Sequence, residues 1–373
     1  MSEKLIIRNF GPITNVDLDL RKVNVLIGEQ GTGKSAIVKL ISSIVKMSTG
    51  ETLTAGKTGL MRKEEFGKVE HLRRHLKVFG IEGYLTETTY IFFDSPLFEF
   101  EFVEKDCRII KTKLIKGLEA ELSHQGITFI PADRGAVNLL SNELLYSLNE
   151  LSQDLPGYFV RFGQQFNRSK KHQKVYDFSE TLGVSYKFEN DQDQIVIANN
   201  KVIMLSDASS AVQTNIPMLV ILKNQELGKD NFGGHSSDFL TTILEEPELN
   251  CHPKLQNLLV KSIVLNAKPS IKENFRRVIF MTTHSPYILT SLNNLIYAHE
   301  VGKIYPDEAE KVIERKYWLN PKDVSAYELK TDGTCEDIFN REENLIGAEK
   351  IDEISNVLNE QFDALLNIEL VPR

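Results

Sequence analysis

The sequence predicts an α/β fold in which a mixed β-sheet is flanked by helices. Three apolar runs, residues 23–27, 239–244 and 278–283, have the length and composition of buried strands. Each run ends abruptly in glycine or polar residues and is followed by a segment with helical apolar spacing. In open parallel sheets, ligands bind at the edge where the carboxyl ends of the strands meet. The pattern therefore predicts one ligand site built from three separate segments.

The loop after the first run matches the phosphate-binding pattern G-x-x-x-x-G-K-[ST] at residues 28–35. Its glycines allow backbone N–H groups to curl around a β-phosphate at the positive end of the following helix, predicted at 36–45. Lys34 would reach the β- and γ-phosphates, and the Ser35 hydroxyl would ligate Mg²⁺. The alternative is a glycine-rich turn that binds nothing. The candidate ATP-binding residues of this loop are Gly28, Glu29, Gln30, Gly31, Thr32, Gly33, Lys34, Ser35 and Ala36.

The second run ends in an acidic cluster that contains Glu245, Glu246 and Glu248. We predict that Glu245 holds Mg²⁺, directly or through water, and that Glu246 polarises the attacking water, because these tasks need two separate carboxylates. The alternative is an acidic turn that caps the helix predicted at about 253–264, since acids favour helix N-termini. We expect this capping role for Glu248.

The third run leads into His284 at the same predicted sheet edge. A lone histidine is more often structural, but the position of His284 one strand after the acidic pair favours a role in the site. Its ring could donate a hydrogen bond to the γ-phosphate or to the attacking water. The catalytic candidates are therefore Lys34, Glu246 and His284, and a helix should begin near Ser285, which has capping chemistry and a following proline.

The bulk composition indicates a cytoplasmic protein that does not contact a membrane. No apolar stretch in the 373 residues approaches the ~20 residues that a membrane span needs, and the opening lacks a signal-peptide core. The three cysteines are widely spaced, which argues against a disulfide framework or a zinc site. The net charge of −8 argues against nucleic-acid binding over the whole protein surface, but it allows a local basic patch.

The segments between the motifs have a different character from the strand–loop–helix units. Residues 168–174 form the most basic stretch and make DNA a possible partner, although most charge runs are solvated loops. No long heptad repeat is present, which excludes a long coiled coil. The expected elements are a basic amphipathic helix at 61–79, strands at 84–93, 98–102 and 108–113, helices at 137–153 and 157–168, and a C-terminal helix at 348–366.

Residues 28–35, 243–246 and 282–284 resemble the Walker A, Walker B and histidine-switch motifs of the ABC-type ATPase superfamily. The branch is the one that contains SMC proteins, RecF and the OLD-type "AAA family" proteins of bacteria. Segments 5–13, 129–134 and 245–253 also look like that branch. The resemblance covers about residues 3–50, 127–150 and 200–300.

The resemblance implies an ABC-type ATPase head with a P-loop NTPase core, an antiparallel β-subdomain and a helical insertion. The expected domains are an ATPase core at 1–50 and 127–302 with a helical lobe at about 137–200, an inserted helix plus β-subdomain at 51–126, and a charged α-rich extension at 303–373. OLD-type nucleases carry a Toprim domain of well over a hundred residues after the ATPase. The C-terminal extension is too short for one, so a built-in metal nuclease is not expected.

In that superfamily ATP lies between two heads, and the second head contributes a signature near L-S-S-G-x-Q. The counterpart here is residues 208–213, and the resemblance implies nucleotide contacts from Ser209 and Ser210 at the start of a helix. An ordinary helix N-cap is the alternative. Ala211 stands where the family usually has glycine, which costs of order 1 kcal/mol if the backbone needs a positive φ.

The resemblance to the opening segment further implies that Arg8 and Asn9 contribute to nucleotide binding. It implies an ATPase that closes as a homodimer or larger homo-oligomer around ATP and Mg²⁺, and that opens after hydrolysis. Such a movement does no chemistry on another substrate, so its output must pass to a partner. Stand-alone proteins of this branch often belong to bacterial phage-defence modules. The implied role is a sensor or regulator of a separately encoded effector, a nuclease or toxin, in defence or DNA maintenance.

Two other functions remain open at this point. A scaffold could hold ATP without turning it over, because Ala211 could slow hydrolysis. An ABC transporter subunit would carry a clean signature closely before the Walker B motif and an aromatic residue that stacks on adenine, and this signature is degenerate.

Overall fold

The computed structural model describes residues 3–48, 69–95, 98–103, 125–139, 156–228, 231–232, 235–236, 239–268 and 276–347. The helices are α1 (Lys34–Ser48), α2 (Val69–Val78), α3 (Gly157–Ser169), α4 (Ser179–Leu182), α5 (Ser210–Glu226), α6 (Pro253–Ala267), α7 (Pro286–Gly302) and α8 (Pro306–Val312). Six short 3₁₀ segments accompany them. The predicted strand at 108–113, the predicted C-terminal helix at 348–366 and most of the predicted helix at 137–153 lie outside the described residues.

Within the described residues, the strands fall into five sheets. They are β1 (Glu3–Phe10), β2 (Ile13–Leu20), β3 (Val23–Gly28), β4 (Leu85–Asp94), β5 (Glu99–Val103), β6 (Gln125–Ile130), β7 (Val175–Phe178), β8 (Val184–Glu189), β9 (Gln192–Val196), β10 (Val202–Met204), β11 (Asn231–Phe232), β12 (His235–Ser236), β13 (Phe239–Glu245), β14 (Arg276–Thr283), β15 (Val324–Leu329), β16 (Cys335–Asp337), β17 (Phe339–Asn340) and β18 (Leu345–Ile346).

The core sheet has the strand order β16-β15-β3-β14-β13-β6, and only β16 is antiparallel to its neighbour. Strands β3, β13 and β14 are almost continuously buried, as expected for parallel strands covered on both faces. One face packs on α1, and the other packs on α5, α6 and α7. The predicted α/β fold class is therefore confirmed. Among the described helices, none combines the length and apolarity that crossing a bilayer would take.

A second sheet, of order β2-β1-β4-β5, is fully antiparallel. Its apolar side chains, such as Leu5, Ile7 and Ile91, pack into the cluster that also contains the buried side of α1. β1 and β2, which fall within the residues 1–50 predicted as ATPase core, therefore lie in one sheet with β4 and β5 from the predicted insertion. β1 pairs with β2 on one side and with β4, from the predicted insertion, on the other.

Residues 175–204 form a third sheet, of order β10-β9-β8-β7. The predicted helical lobe at about 137–200 is wrong for this part, although α3 lies where a helix was expected. This segment forms strands because its burial alternates with a period of two residues. The side chains that face the hydrophobic core are Tyr176, Phe178, Tyr186 and Ile195. Period two is the pattern of a strand rather than a helix.

The C-terminal region adds a strand to the core sheet. β15 pairs in parallel with β3, with Val324 opposite Val23, so the predicted α-rich extension at 303–373 is wrong here and the core does not end at residue 302. The strand is buried along almost its whole length. Its end also shapes the phosphate loop, because a Cβ at Gly28 would overlap the carbonyl oxygen of Leu329. Gly28 has a φ of +146°, so both sterics and backbone require glycine.

Candidate functional site

The loop between β3 and α1 is already curled in the manner that phosphate binding needs. Gly31 and Gly33 have φ values of +81° and +99°, which side chains with a Cβ rarely adopt. Gly33 is also tightly packed, since an added Cβ would lie 3.0 Å from Ile13. The Thr32 hydroxyl donates to the carbonyl oxygen of Glu29 at 2.9 Å. The loop is therefore shaped both by its own hydrogen bonds and by packing on distant segments, with its backbone at the N-terminus of α1.

Lys34 lies inside this loop and is only 5% exposed. Its ammonium group donates to the carbonyl oxygens of Gly28 at 2.8 Å and Glu29 at 2.6 Å. Burial lowers the pKa of Lys34 to about 8, and the nearby carboxylates of Glu246 and Glu248 oppose this shift. The residue predicted to hold the β- and γ-phosphates is thus within electrostatic reach of the predicted Walker B acids.

Ser35 and Glu245, the two predicted Mg²⁺ ligands, lie close enough together for the Ser35 hydroxyl to lower the pKa of the Glu245 carboxyl. Glu245 ends β13 and is 4% exposed, and burial raises its pKa against the opposing effects of Lys39 and the Ser35 hydroxyl. Its Oε1 atom is buried and has no hydrogen-bond partner among the described residues. A buried, unpartnered carboxylate oxygen beside a serine hydroxyl suits a hard cation that prefers oxygen ligands. These residues therefore fit Mg²⁺.

No cluster of three or more histidine, cysteine or acidic side chains suitable for a metal ion occurs in the described part of the chain. A cation held by Ser35 and Glu245 would therefore need further oxygen ligands. Mg²⁺ is usually bound in this way, by one or two protein groups together with substrate phosphates and water.

Glu246 and His284, the predicted general base and histidine switch, lie side by side. His284 Nε2 is 3.4 Å from Glu246 Oε1, and each side chain is 30% exposed. Glu246 has a φ of +45°, an uncommon conformation for glutamate, and its N–H donates to the carbonyl oxygen of Thr282 at 3.0 Å. The turn that positions Glu246 is therefore hydrogen-bonded to β14, the strand that leads into His284.

Arg134 is a residue whose role the sequence did not reveal, because its contacts are with backbone oxygens. It follows β6 and is fully buried. Its guanidinium donates to the carbonyl oxygens of Pro131, Glu245, Glu246 and Pro247 at 3.0 to 3.2 Å. Burial lowers its pKa to about 10. Arg134 thus holds the turn in which both predicted Walker B glutamates lie.

Glu248 does not have the capping role expected for it. His252 is the N-cap of α6, and its Nδ1 accepts from the Lys254 N–H at 3.3 Å. Glu248 Oε1 instead accepts from the Thr283 hydroxyl at 2.7 Å and from the His284 N–H at 2.9 Å. The prediction was wrong because the carboxylate crosses to the neighbouring strand, a contact that local sequence does not encode.

The predicted signature segment begins α5, as expected. Ser209 is the N-cap and Ser210 the first helical residue, and both side chains are exposed. Ala211 lies in the first turn and does not have a positive φ, so the conformational cost anticipated for alanine does not arise. This removes the reason for expecting slowed hydrolysis at that position. The nucleotide contacts of the two serines stay a prediction.

Arg8 and Asn9 make their hydrogen bonds within the antiparallel sheet. Arg8 pairs with Asp17 at 2.6 Å and donates to the carbonyl oxygen of Val16 at 3.0 Å. Asn9 has a φ of +51° and donates to the carbonyl oxygen of Thr88 at 3.3 Å. Their proposed nucleotide contacts stay a prediction.

The basic stretch at 168–174 is only partly available to DNA. Lys170 is 1% exposed, and its ammonium group lies 3.0 and 3.1 Å from the two carboxylate oxygens of Asp193 and over the ring of Phe188. Lys170 is therefore a structural residue. The neighbouring charges of this stretch are exposed, and a DNA contact through them stays a prediction.

The buried position of Lys34 predicts a pH dependence of ATP binding. In the free protein Lys34 loses its proton near pH 8, whereas bound phosphates favour the protonated form and raise its pKa. Above pH 8 binding must therefore take up a proton, so the dissociation constant should rise with pH, by up to about tenfold per unit. Fluorescent ATP titrated between pH 7 and 9.5 measures this, and Lys34→Met should show weak, pH-independent binding.

The chain is similar to one family model and to several solved structures. The family model described as "AAA ATPase domain" matches residues 1–74 and 97–289. The SMC head domain from Thermotoga maritima is 13% identical with a TM-score of 0.37, covering 78% of this chain and 91% of that one. An Smc head from Pyrococcus furiosus, bound to the C-terminal domain of ScpA, is 11% identical with a TM-score of 0.38, covering 96% and 99%.

An ATP-binding cassette of an ABC transporter, in its ADP conformation, is 12% identical with a TM-score of 0.37, covering 95% of this chain and 99% of that one. Among curated proteins, no significant sequence match was found. At these identities and TM-scores, the structural likenesses carry no inference about activity or partners.

Proposed function

Because the chain belongs to the AAA ATPase domain family, we propose that it binds ATP together with Mg²⁺ and hydrolyses the bond to the γ-phosphate. One observation carries the proposal. Lys34, the neighbouring Ser35 and Glu245 side chains and the Glu246–His284 pair converge from three separate segments at the carboxyl edge of the core sheet. Convergence of these groups is what phosphoryl transfer to water requires.

Each group would have a distinct task. The N–H groups of the loop at 28–35 and the Lys34 ammonium would bind the phosphates. Ser35 and Glu245 would hold Mg²⁺, which when bound neutralises charge on the β- and γ-phosphate oxygens. Glu246 would accept the proton of the attacking water, and His284 would orient this carboxylate or donate to the γ-phosphate.

The proposal includes a second copy of the chain that closes over the nucleotide. The exposed Ser209 and Ser210 hydroxyls at the N-terminus of α5 support it, because free N–H groups and hydroxyls at a helix start favour a phosphate. ATP binding would close the dimer and hydrolysis would open it. The output would be control of a separately encoded effector protein in a bacterial defence or DNA-maintenance system, in the cytoplasm. This last step has its support in the sequence resemblance.

Phosphate release and molar mass test the proposal together. Wild type should release phosphate only with Mg²⁺, and Lys34→Met should not release it. Light scattering should give twice the monomer mass with ATP and one monomer mass with ADP. Tight ATP binding without phosphate release would support the scaffold that holds ATP without turnover. If wild type neither binds ATP nor releases phosphate, the proposal is wrong.

A further inference from the structure

The carboxylate of Glu248 joins the turn after β13 to the loop after β14. Its Oε1 accepts two hydrogen bonds, from the Thr283 hydroxyl at 2.7 Å and from the His284 N–H at 2.9 Å. Hydrogen bonds to a charged acceptor are about twice as strong as those between neutral groups. Glu248 therefore fixes the backbone at the residue that carries the imidazole ring.

Within the described residues, the hydrogen bonds of this carboxylate run only to Thr283 and His284. Glu248 Oε2 is buried and has no hydrogen-bond partner in the described part of the chain. A second hydrogen bond holds the loop after β14, because the Ser285 hydroxyl donates to Oε1 of Gln256 in α6 at 2.5 Å. The Ser285 hydrogen bond holds the start of α7, whereas Glu248 holds the backbone of His284 just before that helix.

The backbone that Glu248 holds carries His284, whose ring lies beside the carboxylate of Glu246. His284 Nε2 lies 3.4 Å from Glu246 Oε1. Glu246 lies in the turn after β13 and His284 in the loop after β14, and the hydrogen bonds of Glu248 connect these two segments. We propose that Glu248 is a positioning residue, which sets the imidazole of His284 against the carboxylate of Glu246. The inference rests on the proposed ATPase function. Glu248 itself neither accepts the water proton nor binds the phosphates.

A kinetic double-mutant cycle separates positioning from a general structural role. His284→Ala and Glu248→Ala should each lower kcat by about tenfold or more with little change in KM. The double variant should match His284→Ala within about twofold, because Glu248 acts only through the histidine. Multiplied effects of the two changes would overturn the inference. Glu308→Ala, an exposed glutamate on α8, is the matched control.

Glu248→Gln distinguishes positioning from the negative charge that Glu248 places near Lys34. The amide oxygen of glutamine can still accept from Thr283 and His284, so this variant should recover most of the wild-type kcat. If Glu248→Gln is as slow as Glu248→Ala, charge is the property that matters and the positioning role is wrong. Glu248→Gln also serves if Glu248→Ala does not fold.

NMR of the His284 imidazole tests the same link without hydrolysis. In a chain that keeps Glu248, Glu246→Gln should shift the resonance of the His284 imidazole. In the Glu248→Ala background, the same substitution should leave this resonance unshifted. Equal movement in both backgrounds would overturn the positioning role. Because no turnover is involved, this result stands even if wild type releases no phosphate, which would instead contradict the proposed function.

Discussion

Glu246→Gln should lower kcat for ATP hydrolysis by at least about 100-fold and leave the ATP dissociation constant within about threefold of wild type. Glutamine keeps the shape and the hydrogen-bond reach of the side chain, but it cannot take a proton from water. The loss of kcat without loss of affinity is the signature of an interaction made only in the transition state. Phosphate release under single-turnover conditions, with ATP affinity measured separately, checks the result.

The matched control is Glu308→Gln, which removes one negative charge from an exposed position on α8. It should turn over ATP at the wild-type rate. Because Glu246→Gln should bind ATP without consuming it, we also expect its ATP-bound dimer to persist. A Glu246→Gln rate equal to that of wild type would exclude Glu246 as the base, even if ATP binds normally.

Arg134→Met should lower the free energy of unfolding by about 3–5 kcal/mol. Methionine fills a similar space but donates no hydrogen bond, so the carbonyl oxygens of Glu245, Glu246 and Pro247 lose their buried donor. Leaving buried polar groups unsatisfied costs about 1–3 kcal/mol each before relaxation, so the loss of the donor to three buried carbonyl oxygens has an effect of this size. Equilibrium urea unfolding measures the change.

Arg168→Met provides the control, because Arg168 is exposed and surface substitutions usually change stability by less than about 0.5 kcal/mol. Arg134→Lys should also be destabilised, since one ammonium group cannot replace a guanidinium that serves several carbonyl oxygens. A change below about 1 kcal/mol for Arg134→Met would contradict the role of Arg134 in holding the turn of Glu246.

The parts of the site that sequence could predict are those set by local pattern. The runs before Gly28, Glu245 and His284 are apolar enough to be recognised as buried strands, and the functional residues lie at the ends of these strands or in the loops that follow them. Parallel strands bring their carboxyl ends to one edge. The grouping of Lys34 and Ser35 with the Walker B acids therefore follows from periodicity and topology together.

The parts that sequence reasoning missed depend on contacts between distant segments. Strand β15 joins β3 from the other end of the chain, and its short apolar run lies in a charged region that gave no clear sheet pattern. The strands at 175–204 did alternate in burial, but their place between the motifs suggested a helical lobe. Arg134 and Glu248 act through bonds to backbone groups, which leave no pattern in the sequence around them.

Calorimetric titration of ATP, with and without Mg²⁺, tests most directly whether three distant segments build one magnesium–triphosphate site. Wild type should bind ATP at least about tenfold more tightly with Mg²⁺, and Glu245→Gln should lose that gain because the buried oxygen ligand becomes an amide. Equal affinity of wild type with and without Mg²⁺, or no heat at all, would contradict the site described above.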